Sequence, residues 1–130
     1  MLSPQSKYAI RAMIYIQKQD SEDLVSVEEV AKKTTLPSAY LSKIIKQLVE
    51  NDLLVSRRGK NGGVKINTDK KDISFFEICF AVEDPIVKSE CVLYNRLCDK
   101  DHPCEFHGKW SKTKVRLINF LKSHSLYQNS

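Results

Sequence analysis

The chain has 130 residues, 42% of them hydrophobic and 28% charged, which predicts one globular domain with at most a helical appendage. No apolar stretch approaches the roughly 20 residues that a membrane-spanning helix needs, and the N-terminal segment lacks the features of a secretory signal, so we expect a cytoplasmic protein without membrane contacts. The net charge of +5 is concentrated in residues 1–66, which carry 11 Lys and Arg against 7 Asp and Glu, a bias that suits contacts with phosphate groups.

The first two predicted helices are marked by their N-caps. Ser3 precedes Pro4 at the tolerated first helical position, and the following apolar residues recur at three- and four-residue steps. These residues, which we expect to face the core, are Tyr8, Ala9, Ala12, Met13, Tyr15 and Ile16. Ser26 and Glu29 match a capping box that opens a short second helix, and Pro37 separates that helix from the next one.

The third predicted helix has the clearest periodicity in the chain. Its buried stripe consists of Leu41, Ile44, Ile45, Leu48 and Val49. Its leading end and outer face carry small polar and basic residues, our candidates for DNA contacts: Ser38, Tyr40, Ser42, Lys43 and Lys46. Two short helices around a tight turn, the second with such a face, form the helix-turn-helix pattern. A small helical bundle with solvated lysines is the alternative.

A basic hairpin is predicted directly after this helix. Residues 53–58 and 64–66 have strand-like composition around a glycine-rich tip. The tip and its flanks carry the residues that we assign to DNA contacts: Arg57, Arg58, Lys60 and Asn61. A basic hairpin after a recognition helix is the wing of a winged helix, whose tip reaches phosphates or the minor groove. The predicted fold class is therefore mainly α with a small β-hairpin wing, although a surface hairpin with incidental charge would look similar.

The rest of the chain divides into three further parts. Ser74 and Glu77 form a second capping box before a short apolar helix, in which we interpret Cys79 as a small buried hydrophobe. We assign residues 1–82 to the winged helix-turn-helix domain, residues 83–103 to an irregular segment that we call the cysteine loop, and residues 104–130 to a long helix and tail.

That last helix is predicted to run from about Pro103 to His124. Its apolar stripe, which consists of Trp110, Leu117, Ile118 and Leu121, exceeds what one small domain can cover. We therefore expect a homodimer whose two recognition helices meet a palindromic operator in double-stranded DNA. The alternative is a helix that folds back on its own domain.

Three thiols and one imidazole lie within 17 residues of each other: Cys91, Cys98, Cys104 and His107. With the helix predicted to start at Pro103, Cys104 falls in its first turn and His107 lies one turn later on the same face. Clustered thiols in a reducing compartment indicate metal or redox chemistry more than disulfides. The residues alone leave three interpretations open: an iron-sulfur cluster, a Cys3His zinc site that lacks the usual C-x2-4-C pair, and bare thiols that sense oxidation.

The sequence favours a DNA-binding regulator over two other classes of protein. A small electron-transfer or metal-binding protein could use the same ligands, but it would have no need for a basic hairpin. An enzyme with Cys104 and His107 as nucleophile and base is disfavoured, because three cysteines in one segment suit ligation better than acyl chemistry. We interpret His102 and His124 as surface residues.

The chain resembles the Rrf-type winged helix-turn-helix regulators of the IscR and NsrR kind over nearly its whole length. The resemblance rests on SKYAIRAM near the N-terminus, LPSAYLSKIIKQL in the third helix, LLVSRRGKNGGVKI in the wing and the cysteine array followed by Trp110. It implies a dimeric DNA-binding regulator, with a dimerising C-terminal helix. For members with these cysteines it implies an iron-sulfur cluster held by Cys91, Cys98, Cys104 and His107, of which we favour [2Fe-2S] over [4Fe-4S], with zinc less favoured.

Three departures from that family pattern bear on the prediction. The first cysteine gap is six residues rather than the commoner five, Lys7 stands where NO-sensing relatives have an acidic ligand, and Ser42 stands where a glutamate helps IscR to choose operators. His107 is therefore favoured as the fourth ligand. The function predicted is a regulator, in our interpretation a repressor, whose DNA binding depends on the cluster. The alternative is a cluster-free family member that responds through thiol oxidation or a partner protein.

Overall fold

The computed structural model describes residues 2–19 and 23–127, which form five helices and one hairpin. The elements are α1 (Pro4–Lys18), α2 (Val27–Thr34), α3 (Ser38–Glu50), β1 (Leu54–Arg57), β2 (Gly63–Ile66), α4 (Phe75–Ala81) and α5 (His107–Ser123). The predicted class, mainly α with a β-hairpin wing, is confirmed. Within the described ranges, no helix combines the length and the apolar character needed to cross a bilayer.

The predicted N-caps are present. The Ser3 side chain accepts a hydrogen bond from the Ser6 amide, and Ser26 does the same for Glu29. Ser74 and Glu77 form both halves of the capping box. Desolvation opposes ionisation of Glu77, but hydrogen bonds from Lys70 and Ser74 outweigh it and lower the pKa of this carboxyl. The helix starts are therefore encoded locally, by the side chains that satisfy free backbone N–H groups.

The core is built around α1, which packs against α2, α3, α4 and β2. Its buried Ala9, Ala12 and Met13 allow these elements to approach closely. The stripe predicted on α3 is buried at Leu41, Ile44, Ile45 and Leu48 and half-buried at Val49. Because that stripe faces the core, the opposite face of α3 is left in solvent.

The hairpin is joined to the domain by a third short segment that the sequence did not reveal. Leu54 pairs with Ile66 and Arg57 with Gly63 in the antiparallel hairpin. On the other edge, Val25 and Val64 exchange two backbone hydrogen bonds of 2.8 Å. This bridge holds β2, near the tip end of the hairpin, against the segment that leads into α2.

Gly63 should tolerate no side chain. Its φ is +149°, and a Cβ there would lie 2.3 Å from the Val25 carbonyl oxygen, so we expect Gly63→Ala to lower the free energy of unfolding by about 2 kcal/mol. In the control Gly108→Ala, no atom lies within 4 Å of the new Cβ, and the helical position should gain a few tenths of a kcal/mol. Urea unfolding measures both variants, and equal stabilities would contradict the close contact with Val25.

Two expectations about the C-terminal region were wrong. The helix α5 begins at His107, not at Pro103, so Cys104 precedes it and is not stabilised by the first turn. The reason is a turn over residues 104–106, in which the His107 amide donates to the Cys104 carbonyl oxygen at 3.1 Å. His124 is half-buried rather than on the surface, since its ring packs 4.2 Å from that of Phe120 and 6.4 Å from that of Phe75. His102 is exposed, as expected.

The far end of α5 does fold back on its own domain. Leu121 is buried, the Phe75 amide donates to the His124 carbonyl oxygen at 2.9 Å, and the Leu126 amide donates to Ile73 at 3.0 Å. The remainder of the helix keeps large apolar side chains in solvent. The large apolar side chains that are more than half exposed on α5 and immediately before it are Phe106, Val115 and Phe120.

Candidate functional site

The outer face of α3 and the wing border one groove of about 780 Å³. Four predicted DNA-contact residues line it, Ser42 and Lys46 from α3 and Arg57 and Asn61 from the wing. The start of α2 also lines the groove, through Ser26 and Glu28, a contribution that the sequence does not predict because it arises from packing. The groove joins a helix face and a hairpin, as a winged-helix DNA interface requires.

The leading end of α3 is partly supported by α1. The Tyr40 ring lies edge-on to that of Tyr8 with 5.5 Å between centroids, which leaves Tyr40 39% exposed. Ser42 Oγ donates to the Ser38 carbonyl oxygen at 3.0 Å. Lys43 and Lys46 are exposed. The lysines are therefore free to reach a phosphate, whereas Tyr40 and Ser42 have internal contacts as well.

The wing tip is a tight turn. Gly59 has φ +98° and Asn61 has φ +66°, and the Gly62 amide donates to the Gly59 carbonyl oxygen at 2.9 Å. Asn61 therefore has a structural role, because asparagine tolerates the left-handed conformation better than most residues. Arg57, Arg58 and Lys60 are exposed around this turn. The tip therefore presents three cations around one hydrogen-bonded turn.

The cysteine loop has more order than its composition suggests. Glu90 and Leu97 form an antiparallel bridge. On either side of it the Cys91 amide donates to the Arg96 carbonyl oxygen at 2.7 Å and the Cys98 amide donates to Ser89 at 2.9 Å. Cys91 and Cys98 consequently lie on the two arms at the base of one tight turn.

All four cysteines are free thiols, but they differ in environment. Cys91 Sγ accepts hydrogen bonds from the amides of Leu93 and Tyr94, both at 3.4 Å, which lower the pKa of this thiol. Cys104 lies close enough to add a hydrogen bond to the same sulfur. Cys98 Sγ instead faces the Glu90 carbonyl oxygen at 3.6 Å. Desolvation raises the pKa of the buried Cys79 to about 11, which agrees with its predicted structural role.

A tyrosine fastens the loop to the segment before α5. The Tyr94 hydroxyl donates to both carboxylate oxygens of Glu105, at 3.0 and 3.1 Å, and this contact raises the pKa of Tyr94. Glu105 is the neighbour of Cys104, so the contact helps to hold Cys104 beside Cys91. His107 is half-buried at the first position of α5.

The structure therefore brings together part of the predicted ligand set. Cys91 and Cys104 interact, whereas in residues 2–19 and 23–127 no three Cys, His, Asp or Glu side chains converge as metal ligands would. The donor set itself fits an iron-sulfur cluster, because three accessible thiols and an imidazole lie in one short segment. Cys98 would have to turn from the Glu90 carbonyl oxygen to join the other donors.

The two kinds of thiol should differ in alkylation. In metal-free protein we expect Cys91 to react with iodoacetamide at a lower pH than an ordinary thiol does, because backbone N–H groups stabilise its thiolate. Cys79 should stay unmodified through pH 9, because burial raises its pKa to about 11. Mass spectrometry of peptides alkylated from pH 6 to 9 measures both rates. Equal rates at the two cysteines would show that these environments are wrong.

The family model whose description is Rrf2, iron-dependent transcriptional regulator, matches residues 2–128. The chain belongs to the Rrf2 family. Among its relatives, this Rrf2 protein is 27% identical to the transcriptional regulator IscR of Photorhabdus laumondii, covering 96% of this chain and 76% of the relative. It is 25% identical to protein rrf2 of Nitratidesulfovibrio vulgaris, covering 96% and 83%. The relatives named IscR are transcriptional regulators, not enzymes, and this Rrf2 protein is a DNA-binding transcriptional regulator.

Solved structures confirm the winged-helix fold of this Rrf2 protein. The global cysteine regulator CymR of B. subtilis superposes with a TM-score of 0.76 at 22% identity, over 98% of this chain and 93% of that one. IscR of T. potens gives a TM-score of 0.73 at 22% identity, over 98% and 83%. The two neighbours share a fold with this chain while their names point to different regulators.

Proposed function

We propose that this Rrf2-family regulator binds a palindromic operator as a homodimer, represses transcription, and holds an iron-sulfur cluster through Cys91, Cys98, Cys104 and His107 that modulates its DNA binding. The observation that supports this most directly is the contact between the Tyr94 hydroxyl and the carboxylate of Glu105, the residue after Cys104. It joins the cysteine loop to the start of α5, the helix through which we expect two subunits to meet.

The DNA contacts proposed here follow from the groove between α3 and the wing. Ser38, Tyr40, Ser42 and Lys43 belong to the end and face of α3 that would enter the major groove. Lys46, Arg57, Arg58, Lys60 and Asn61 would contact the backbone or the adjacent minor groove. Because Ser42 is short and already bonded to Ser38, we expect it to discriminate between operators less strongly than a glutamate would.

Dimerisation through α5 is supported by its exposed apolar side chains. On α5 itself, Val115 is 55% exposed and Phe120 is 52% exposed, and Phe106, which immediately precedes the helix, is 54% exposed. The buried Trp110 Nε1 has no hydrogen-bond acceptor among the described residues. A second copy packed on this helix would cover the apolar groups, and two-fold symmetry would place two α3 helices about 34 Å apart.

The proposed ligands also differ in what they contribute. A bound cluster would supply a redox-active and chemically labile centre, and [2Fe-2S] is our preference over [4Fe-4S]. Engagement of Cys91 and Cys98 would stiffen the two arms of the loop, while Cys104 and His107 would hold them at the start of α5. Zinc is the less favoured occupant because no C-x2-4-C pair is present.

Reversible thiol oxidation without a cluster is the second candidate. The adjacency of Cys91 and Cys104 favours it, because a thiol of lowered pKa beside a second thiol is the arrangement of many redox sensors.

Metal analysis separates the two candidates. We expect anaerobically purified protein to contain iron and acid-labile sulfide in equal amounts with a visible absorption band, and Cys98→Ala to lose them. Stoichiometric zinc, or a colourless protein after reconstitution, would contradict the cluster.

A further inference from the structure

One buried carboxylate connects two parts of the molecule that are far apart in sequence. Asp84 is 1% exposed. Its Oδ2 accepts hydrogen bonds from the Ser3 amide at 3.0 Å and from Ser6 Oγ at 2.5 Å, while its Oδ1 accepts one from the Ile86 amide at 2.9 Å. Burial of a carboxylate is costly unless hydrogen bonds satisfy it, and here three donors do so.

On one side, the carboxylate organises the entry to the cysteine loop. Asp84 Oδ1 accepts from the Ile86 amide at 2.9 Å, and the Ile86 carbonyl oxygen accepts from the amide of Ser89, whose φ is +60°, at 3.3 Å. The Ser89 carbonyl oxygen then accepts from the Cys98 amide, and the Glu90 carbonyl oxygen faces Cys98 Sγ. An unbroken chain of hydrogen bonds therefore runs from Asp84 to a proposed cluster ligand.

On the other side, the carboxylate anchors the N-terminal turn of α1. Ser6 is completely buried and is the third residue of that helix. Tyr8 lies two residues further along and packs edge-on against Tyr40, at the leading end of α3. A shift of the first turn of α1 would thus reach a residue that we assign to DNA contact.

We propose that Asp84 is the positioning residue that transmits the state of the cysteine loop to α3, through Ser6 and the Tyr8–Tyr40 contact. The inference rests on the proposed function for its biological meaning. The linkage itself can be tested separately, because the hydrogen bonds from Asp84 to the start of α1 and towards the Cys98 arm involve protein groups only. Loss of the carboxylate should uncouple the two segments while leaving each in place.

The linkage is tested by hydrogen exchange of metal-free protein. Asp84→Asn puts an NH2 donor against the Ile86 amide in one orientation, and against the Ser3 amide and Ser6 Oγ in the other. We therefore expect the amides of Cys91 and Cys98 to exchange about tenfold faster. Ser6→Ala, a milder change in α1, should accelerate the Cys98 amide in the same direction, and it decides the outcome if Asp84→Asn does not fold. The control Glu83→Gln removes a neighbouring carboxylate that pairs with Lys88 at the surface and should change neither amide.

Faster exchange confined to α1 in Ser6→Ala would overturn the proposal, because it would mean that the loop does not respond to the helix. The second measurement is the ratio of DNA dissociation constants of metal-free and cluster-loaded protein. We expect Asp84→Asn to bring this ratio close to one and Glu83→Gln to retain the wild-type value. If wild type itself shows a ratio of one, the proposed function fails and the exchange result still decides the linkage.

Discussion

Replacement of Cys104 by alanine should abolish cluster binding and make DNA affinity independent of reconstitution. Cys104 lies three residues before the start of α5, so its loss removes the proposed ligand that would join a cluster to the segment leading into that helix. We expect the variant to bind DNA as metal-free wild type does, and therefore to differ from loaded wild type by about 5- to 150-fold, the usual range of an allosteric coupling.

Cys79→Ala is the matched control for that change. It also removes one thiol, but Cys79 is buried in α4 and makes no contact with the proposed ligands. We expect it to retain stoichiometric iron and sulfide, at some cost in stability from the small cavity. Iron and sulfide analysis with fluorescence anisotropy on a labelled operator measures both variants. A Cys104→Ala protein that still binds stoichiometric iron would exclude Cys104 as a ligand.

Lys46→Ala should weaken binding to every DNA sequence and reduce its salt dependence. Lys46 is exposed and lines the groove between α3 and the wing. If it neutralises one phosphate, its loss should lower the slope of log affinity against log salt by about 0.9 and reduce affinity roughly tenfold near 0.1 M salt. The loss should be similar for specific and non-specific DNA, because phosphate contacts carry no sequence information.

Lys112→Ala provides the comparison, since it removes the same charge from an exposed position on α5. Its salt slope should stay within error of wild type. Titrations at four salt concentrations with a specific and a scrambled duplex distinguish the two positions. Equal slopes for Lys46→Ala and wild type would show that Lys46 does not contact phosphate, and a reduced slope for Lys112→Ala would mean that DNA covers α5.

The parts of this fold that follow from local rules could be predicted from the sequence. The buried stripe of α3 follows from a spacing of three and four residues, and the helix starts at Ser3 and Ser74 follow from side chains that cap nearby amides. The wing was predictable because glycine and asparagine supply the positive φ angles of its tip. In each case the deciding interaction lies within a few residues of its cause.

The features that were missed or misplaced depend on contacts between distant residues. Pro103 suits the first position of a helix, yet the turn that holds Cys104 beside Cys91 delays α5 to His107. The bridge from Val25 to Val64 and the anchoring of Asp84 by Ser6 join segments that only the tertiary fold brings together. The sequence therefore predicts which residues of the candidate site could be ligands, but it does not predict how these residues are arranged in space.

The most direct test of the account compares the DNA affinity of one protein sample with and without its cluster. Anaerobically reconstituted protein and the same preparation after chelation would be titrated against a pool of genomic promoter fragments, with the bound fragments counted at each concentration. We predict that a defined group of fragments changes affinity at least about fivefold between the two forms. Identical affinities for every bound fragment would contradict the claim that the cysteine loop controls the DNA-binding face.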